Sequence, residues 1–140
     1  MNDFTFIIPG EPVPKARPRF NSRTGHTYTT SKTAKAEKAI QAEYISQGGE
    51  NLADYEGKVE IAMVFHFPIR KSWTKKKQEE LLDSTHTIKP DLDNLEKTVL
   101  DALNGLAFKD DSQVCMVRKT KLWKKEARTI VQLIYEDEQE

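Results

Sequence analysis

The sequence predicts an α+β fold, in which a mixed sheet of about four strands packs against two or three helices. Residues 59–67 carry the clearest strand signal, because apolar side chains alternate along them with more polar ones. A helix is predicted by a second apolar set that recurs every three or four positions: Leu92, Leu95, Val99, Leu103 and Leu106. A chain of 140 residues can bury one core but hardly two, so we expect a single domain over residues 1–140.

The first half of the chain shows the usual start and stop signals. Residues 4–8 read as a strand that ends at Pro9 and Gly10. Ser31 is expected to cap a helix that runs to about residue 47. A short surface helix is expected after Trp73, whose ring should lie as a lid on the core, with stacking on an unpaired base as the alternative.

Two further strands are predicted near the end, over residues 113–123 and 127–135, joined as a hairpin. Because the last strand has apolar residues on both parities, we expect it to be covered on both faces. Cys115, the single cysteine, falls in the first of these strands and is expected to be a small buried hydrophobe.

Composition restricts the classes of function. The net charge is zero although 31% of the residues are charged, which argues against a uniformly basic nucleic-acid binder. Positive charge gathers in residues 15–35, 70–77 and 118–125, whereas the tail 136–140 is acidic. This distribution suits a protein that grips phosphate on one face, and a solvated surface of mixed charge is the alternative.

Several classes lack support in the sequence. The first residues have neither the basic start nor the apolar core of a signal peptide, and no stretch is long enough to span a membrane. No glycine-rich phosphate loop appears, so no nucleotide cofactor is expected. We therefore expect a cytoplasmic protein with no membrane partner.

The chemistry is concentrated around the predicted helix that begins after Pro90. Asp91 and Asp93 open this helix, with Asp91 as a natural N-cap that accepts from backbone N–H groups, and Lys97 follows one turn later. Asp93, Lys97, Asp101 and Asn104 form a charged stripe separate from the apolar one. A second acidic pair, Asp110 and Asp111, lies just beyond the helix end.

These carboxylates have two readings. Acidic residues at a helix start are favoured by the macrodipole, and Asp93 with Lys97 is an ordinary i,i+4 pair. Alternatively, the chain returning from the helix brings the second pair back beside the helix start, where a divalent cation offsets the repulsion between carboxylates. Mg²⁺ takes oxygen ligands of this kind together with phosphate oxygens.

Basic residues follow the first strand in a proline-rich loop: Lys15, Arg17, Arg19 and Arg23. Their charges could contact a DNA backbone, or the loop could be a solvated arm that orders against the domain. His86 precedes the acidic motif closely enough for a role near phosphate, although a structural histidine is the simpler reading.

Four stretches of the chain together resemble the phage and prophage branch of the RusA family of Holliday-junction resolvases. They are residues 10–20, 91–97, 100–104 and 110–114. The resemblance implies a homodimeric, Mg²⁺-dependent endodeoxyribonuclease, with Mn²⁺ as a substitute metal, that nicks four-way DNA junctions in paired strands during DNA recombination and repair.

The resemblance also assigns site residues. Asp91, Asp93 and Asp111 match the catalytic, metal-binding aspartates of the family, and Lys97 matches its essential lysine. Pro90 stands where some members have a basic residue. Two other functions stay open: a structure-specific DNA-binding module without catalysis, and a metal-dependent nuclease that acts on flaps or RNA.

Overall fold

The computed structural model describes residues 2–16, 19–28 and 30–136 and shows a single α+β domain, as expected. Its strands are β1 (Asn2–Pro9), β2 (Arg19–Asn21), β3 (His26–Tyr28), β4 (Val59–Pro68), β5 (Val114–Lys124) and β6 (Arg128–Tyr135). Its helices are α1 (Ser31–Ser46), α2 (Lys75–Leu81) and α3 (Leu92–Leu103). In the described part of the chain, no helix is long and apolar enough to cross a membrane.

The main sheet has four strands in the order β1-β6-β4-β5. β4 pairs parallel with β5 and antiparallel with β6, and β6 pairs antiparallel with β1, so the sheet is mixed as expected. The predicted hairpin of the last two strands is wrong, because β4 lies between them. β4 takes this inner position because its inward side chains are the most apolar of the chain, with exposed fractions of 0 to 4% from Val59 to Phe67.

The helices cover one face of this sheet. Inward residues of β1, β4 and β6 form one buried cluster with Ile40 and Tyr44 of α1 and with Leu95, Val99 and Leu103 of α3. On β6, every second residue is buried, and the residues between them are only half-buried. The expectation that this strand is covered on both faces is therefore wrong, since both large helices contribute to the same core.

Local capping differs slightly from the prediction for α1. Thr30, and not Ser31, is the N-cap, and its hydroxyl accepts from the backbone N–H of Thr33 at 3.4 Å. Gly105 follows α3 with φ +77°, the left-handed conformation expected at the helix stop. The start of α1 and the end of α3 are thus each determined by a residue next to the apolar pattern of the helix.

The two predictions for single side chains have opposite outcomes. Trp73 packs against the core, with its ring edge-on to Trp123 at 4.9 Å, so the predicted lid is confirmed. Cys115 is exposed, which contradicts the prediction. The pairing of β4 with β5 shifts between Val59 and Glu60, and Cys115 is the extra residue at this bulge, so it has no inward position in the ladder.

The core predicts a clear contrast between two apolar substitutions. Leu133→Ala removes a side chain with 0% exposure and should lower the free energy of unfolding by about 2–5 kcal/mol, since the cavity cannot fully collapse. Ile45→Ala, at a residue 59% exposed, is the control and should change it by less than about 0.5 kcal/mol. Urea denaturation measures both, and equal effects would contradict this assignment of the core.

Candidate active site

The start of α3 presents two carboxylates to solvent. Asp91 occupies the N-cap position with φ −72° and ψ 145°, yet its side chain makes no capping hydrogen bond. The expected use of this carboxylate as a cap is therefore wrong, although the helix begins where predicted. Asp93 lies in the first turn and is also exposed. Both carboxylates are accessible to a ligand at this helix end.

A lysine from the edge strand holds the segment that leads into Asp91. The ammonium of Lys121 on β5 donates to the carbonyl oxygens of Ile88 at 2.5 Å and Pro90 at 2.7 Å. Burial lowers the pKa of Lys121, and the nearby Asp91 carboxylate partly opposes this shift. The position of the first acidic residue is thus tied to the sheet.

Lys97 and Lys15 meet at one carboxylate on the charged stripe of α3. The ammonium of Lys97, whose side chain is 61% exposed, lies 3.7 Å from Asp101. The ammonium of Lys15 lies 3.1 Å from the other oxygen of Asp101 and 2.6 Å from Glu37 on α1. Asp101 therefore places the predicted catalytic lysine next to a lysine that is itself fixed between two helices.

Lys15 was predicted to contact DNA, and the structure shows that it has other partners. Its backbone N–H donates to the carbonyl of Asn94 at 2.9 Å, which docks the basic loop on α3. Burial lowers the pKa of Lys15, but the hydrogen bonds to Glu37 and Asp101 outweigh this effect, so the pKa is raised overall. The positive charge of Lys15 is thus largely compensated within the protein.

The other predicted DNA contacts are described less fully. Arg17 lies outside the described residues, and Arg19 begins strand β2, with its side chain outside the description. Arg23 is exposed in the turn that joins β2 to β3. The backbone thus places two of these arginines on a small antiparallel ribbon.

The second acidic pair divides into a structural and an available residue. Asp110 caps the 3₁₀ turn Asp111–Gln113: its carboxylate accepts from Ser112 N–H at 3.1 Å, and its own N–H donates to the Gln113 amide oxygen at 2.7 Å. The bonds from Ser112 lower the pKa of Asp110. The Asp111 backbone N–H donates to the side-chain oxygen of Asn104 at 3.0 Å, so Asp111 is fixed at the end of α3.

Sequence reasoning missed the partners that hold this turn. Gln113 donates through its side-chain amide to the carbonyl oxygens of Tyr55 and Gly57, both at 2.8 Å. Its position three residues after Asp110 is the sequence signature of a capping box, which was the available signal. Asn104 was placed on the charged stripe, but its bond to Asp111 could not be read from spacing.

The two acidic segments do not meet within one chain. Asp91 stands before the 12-residue helix α3 and Asp111 beside its end, a separation of about 20 Å along the helix axis. The expectation that the second pair returns to the helix start is wrong because β5 runs antiparallel to α3. Lys119 pairs with Glu96 at 3.3 Å, and Lys121, further along β5, reaches the helix start.

The donors at the helix start fit a divalent cation only in part. Among the residues that the structure describes, no group of three or more His, Cys, Asp or Glu side chains could hold a metal ion. Asp91 and Asp93 nevertheless offer two exposed carboxylates. Mg²⁺ often binds to one or two carboxylates and completes its shell with water and substrate phosphate oxygens. The helix start thus provides an incomplete oxygen site.

Comparison with known proteins identifies the family. A family model described as Endodeoxyribonuclease RusA matches residues 9–134. The chain belongs to the RusA family of endodeoxyribonucleases. The protein YqaN of Bacillus subtilis (strain 168), described as uncharacterized, is 31% identical over 137 residues, which cover 95% of this chain and 96% of YqaN. The resemblance seen in the sequence is thereby confirmed, and the matched region contains both acidic segments, Lys97 and the basic loop.

The ion pairs of Lys15 with Glu37 and Asp101 predict that replacing this lysine lowers stability in a way that depends on pH. Lys15→Met should lower the free energy of unfolding by roughly 1–3 kcal/mol, because Glu37 loses its charged donor and Asp101 keeps only the more distant Lys97. Since the folded state raises the Lys15 pKa, this contribution is present at neutral pH and is lost as the pH rises above 10.5 through the folded-state value. Denaturation at pH 7 and pH 11 measures both effects.

The matched control for this substitution is Lys35→Met. Lys35 is an exposed lysine of α1, the helix that also carries Glu37. The control should change the free energy of unfolding by less than about 0.5 kcal/mol. Equal losses for the two variants at pH 7 would contradict the role assigned to the contacts of Lys15.

Proposed function

We propose that this protein is a Mg²⁺-dependent, structure-selective endodeoxyribonuclease that resolves four-way DNA junctions by paired phosphodiester hydrolysis, in DNA recombination and repair. The observation that carries the proposal is the exposed start of α3, where Asp91 occupies the cap position without using its carboxylate for capping. Because this carboxylate makes no capping hydrogen bond, its oxygens are available to a ligand. Membership of an endodeoxyribonuclease family indicates that the ligand belongs to a DNA-cleaving reaction.

Three aspartates would hold the metal: Asp91, Asp93 and Asp111. Mg²⁺ is the expected ion and Mn²⁺ a substitute, because hard cations of this size prefer carboxylate oxygens. When bound, the ion supplies Lewis acidity toward the phosphodiester and helps to activate the attacking water. The protein contributes the fixed carboxylates and their orientation. No histidine general base is needed in this scheme.

Lys97 would act on the charge that grows on the phosphate during hydrolysis. Its ammonium lies one helical turn beyond Asp93 and is mostly exposed, so it can approach a bound strand. A cation placed where negative charge develops stabilises the transition state more than the ground state. Asp101, 3.7 Å from this ammonium, limits the positions that the side chain can take.

A two-fold dimer would complete the site. Because Asp111 lies about 20 Å from Asp91 along α3, one chain offers the third carboxylate at the wrong end of the helix. Two copies with antiparallel α3 helices would bring Asp111 of the partner subunit beside Asp91 and Asp93, twice per dimer. Two equivalent sites match the two cuts needed to resolve a four-way junction.

Contacts to the DNA backbone are assigned to the basic loop and ribbon, through Lys15, Arg17, Arg19 and Arg23. Lys15 should contribute least, because Glu37 and Asp101 already compensate its charge. Binding should weaken as salt rises, since each phosphate contact releases counterions.

The catalytic roles predict a separation of binding from cleavage. Asp93→Asn should leave junction affinity within about twofold and reduce nicking with Mg²⁺ by at least about 100-fold, because it removes several kcal/mol of charge stabilisation. Glu80→Gln, at an exposed carboxylate on α2, is the control and should nick at the wild-type rate. Full nicking by Asp93→Asn, or by Lys97→Ala, would refute the assigned roles.

The substrate is tested in the same assay with a junction, a flap, a linear duplex and RNA. Preferred cleavage of the junction supports the proposal. Preferred cleavage of flaps or RNA would indicate a nuclease of different selectivity. Junction binding without any nicks by the wild-type protein in Mg²⁺ or Mn²⁺ would indicate a binding module.

The shared site is tested by mixing two inactive variants. In a dimer of one Asp93→Asn chain and one Asp111→Asn chain, one site would carry both substitutions and the other neither. Exchange of subunits should therefore restore activity to about one quarter of the sites, with single nicks in place of paired ones. If each site belonged to a single chain, every site in the mixture would be damaged and no activity would return.

A further inference from the structure

A cavity of about 290 Å³ opens beside the segment that leads into α3. This volume is at the lower end of the range for ligand sites in proteins. Three buried rings form its floor: His86 stacks on Trp123 at 4.1 Å and lies 4.5 Å from Phe67. Lys89 and Pro90, which immediately precede Asp91, form part of its wall.

Two uncompensated cations line this cavity. The guanidinium of Arg70 lies 5.7 Å from the ring centre of Trp73 and 5.9 Å from that of Trp123, so the indoles fix its position while its N–H groups stay available. Lys89 is exposed. Neither cation forms an ion pair with a residue that the structure describes. Glu11 is the one acidic residue in the lining, which leaves an excess of positive charge.

His86 adds a polar atom that the protein leaves unsatisfied. The residue is 5% exposed, and its Nδ1 has no hydrogen-bond partner in the described structure. Burial lowers the pKa of His86, and the nearby charge of Lys121 lowers it further. A buried nitrogen without a partner is destabilising unless water or a ligand reaches it. His86 is one of the residues that line the cavity.

We propose that this cavity binds a phosphate group of the DNA strand, one or two nucleotides from the phosphodiester that is cleaved. The proposal rests on the proposed function. Arg70 offers the planar fork that matches phosphate oxygens, and Lys89 adds a second positive charge. Lys89 and Asp91 are two residues apart and span at most about 7 Å. Since successive phosphates of one strand rise about 3.4 Å along the duplex axis, a phosphate held by Lys89 would be a near neighbour of one held at Asp91.

Bound in this way, the strand is held at two places, in the cavity and at the start of α3. The cavity fixes one phosphate, so the position of the cleaved phosphate relative to Asp91 and Asp93 is set by the length of the backbone between them. Arg70 and Lys89 are positioning residues in this scheme, since they touch the strand but not the reacting atoms.

The first test measures junction affinity without Mg²⁺ over a series of salt concentrations. Lys89→Gln and Arg70→Gln should each weaken binding about five- to tenfold at 0.1 M salt and reduce the slope of log affinity against log salt by about 0.9. Lys38→Gln, at an exposed lysine of α1 outside the cavity and outside the three positive clusters, should change the affinity less than twofold. The Lys89 side chain forms no hydrogen bond or ion pair with a residue that the structure describes, so the Lys89→Gln variant tests the charge alone.

The second test locates the phosphate. Neutral methylphosphonate linkages are placed singly at the two positions on each side of the cut. One linkage should weaken binding of the wild-type protein but not of Lys89→Gln, because both changes remove the same contact. Additive effects at all four positions would overturn the proposal, even if the wild-type protein nicks junctions normally. A wild-type protein that neither binds nor nicks junctions would refute the proposed function and this site together.

Free phosphate is the other source of the same chemistry. Inorganic phosphate is titrated while the indole N–H signals of Trp73 and Trp123 are followed by NMR. Shifts that Lys89→Gln abolishes, together with a position-specific methylphosphonate effect, support a strand phosphate. Shifts without any position-specific effect would overturn the assignment to DNA and indicate a site for small anions.

Discussion

The parallel pairing of β4 with β5 is the constraint that decides where the acidic residues lie. It places β5 at the edge of the sheet and makes it run antiparallel to α3, so the start of β5 lies at the helix end and its later residues reach the helix start. Asp111, just before β5, is therefore held beside Asn104, while Lys121 reaches the segment before Asp91. The separation of the carboxylates follows from strand direction and not from a flexible loop.

This separation has an electrostatic advantage, because it keeps the two acidic segments of one chain from repelling each other at close range. Carboxylates packed around an empty site repel one another, which raises their pKa values and destabilises the fold. Here Asp91 and Asp93 lie at the start of α3, and Asp111 lies in a separate turn beside the other end of the helix. The fold of one chain thus does not bring its two acidic segments into close contact.

The sequence predicted the elements whose signal is local. The alternation along β4 and the apolar stripe of α3 each survive in the structure, because burial acts on one strand face or one helix stripe at a time. Partners distant in sequence were not predictable: nothing in residues 113–135 indicates that β4 enters between the last two strands. The prediction that Cys115 is buried was wrong for a related reason, since the bulge at this residue depends on the pairing of β5 with β4.

The candidate site shows the same division between local and distant information. The motif at the start of α3 was legible, including the position of Asp91, because helix starts have short sequence signatures. The partners of Lys15 on α1 and α3 could not be predicted. Glu37 lies 22 positions further along the chain, and Asp101 lies further still. Long side chains choose their partners after the elements have packed, and spacing alone does not encode that choice.

The capping box at Asp110 has a consequence for how tightly a shared metal ion would be held. Asp111 stands on a turn that is already ordered by Gln113 and Asn104, so its carboxylate loses little conformational entropy when it becomes a ligand. What remains to be overcome is the association of two chains. Apparent metal affinity and the degree of dimerisation would then be thermodynamically linked, each rising with the other as protein concentration increases.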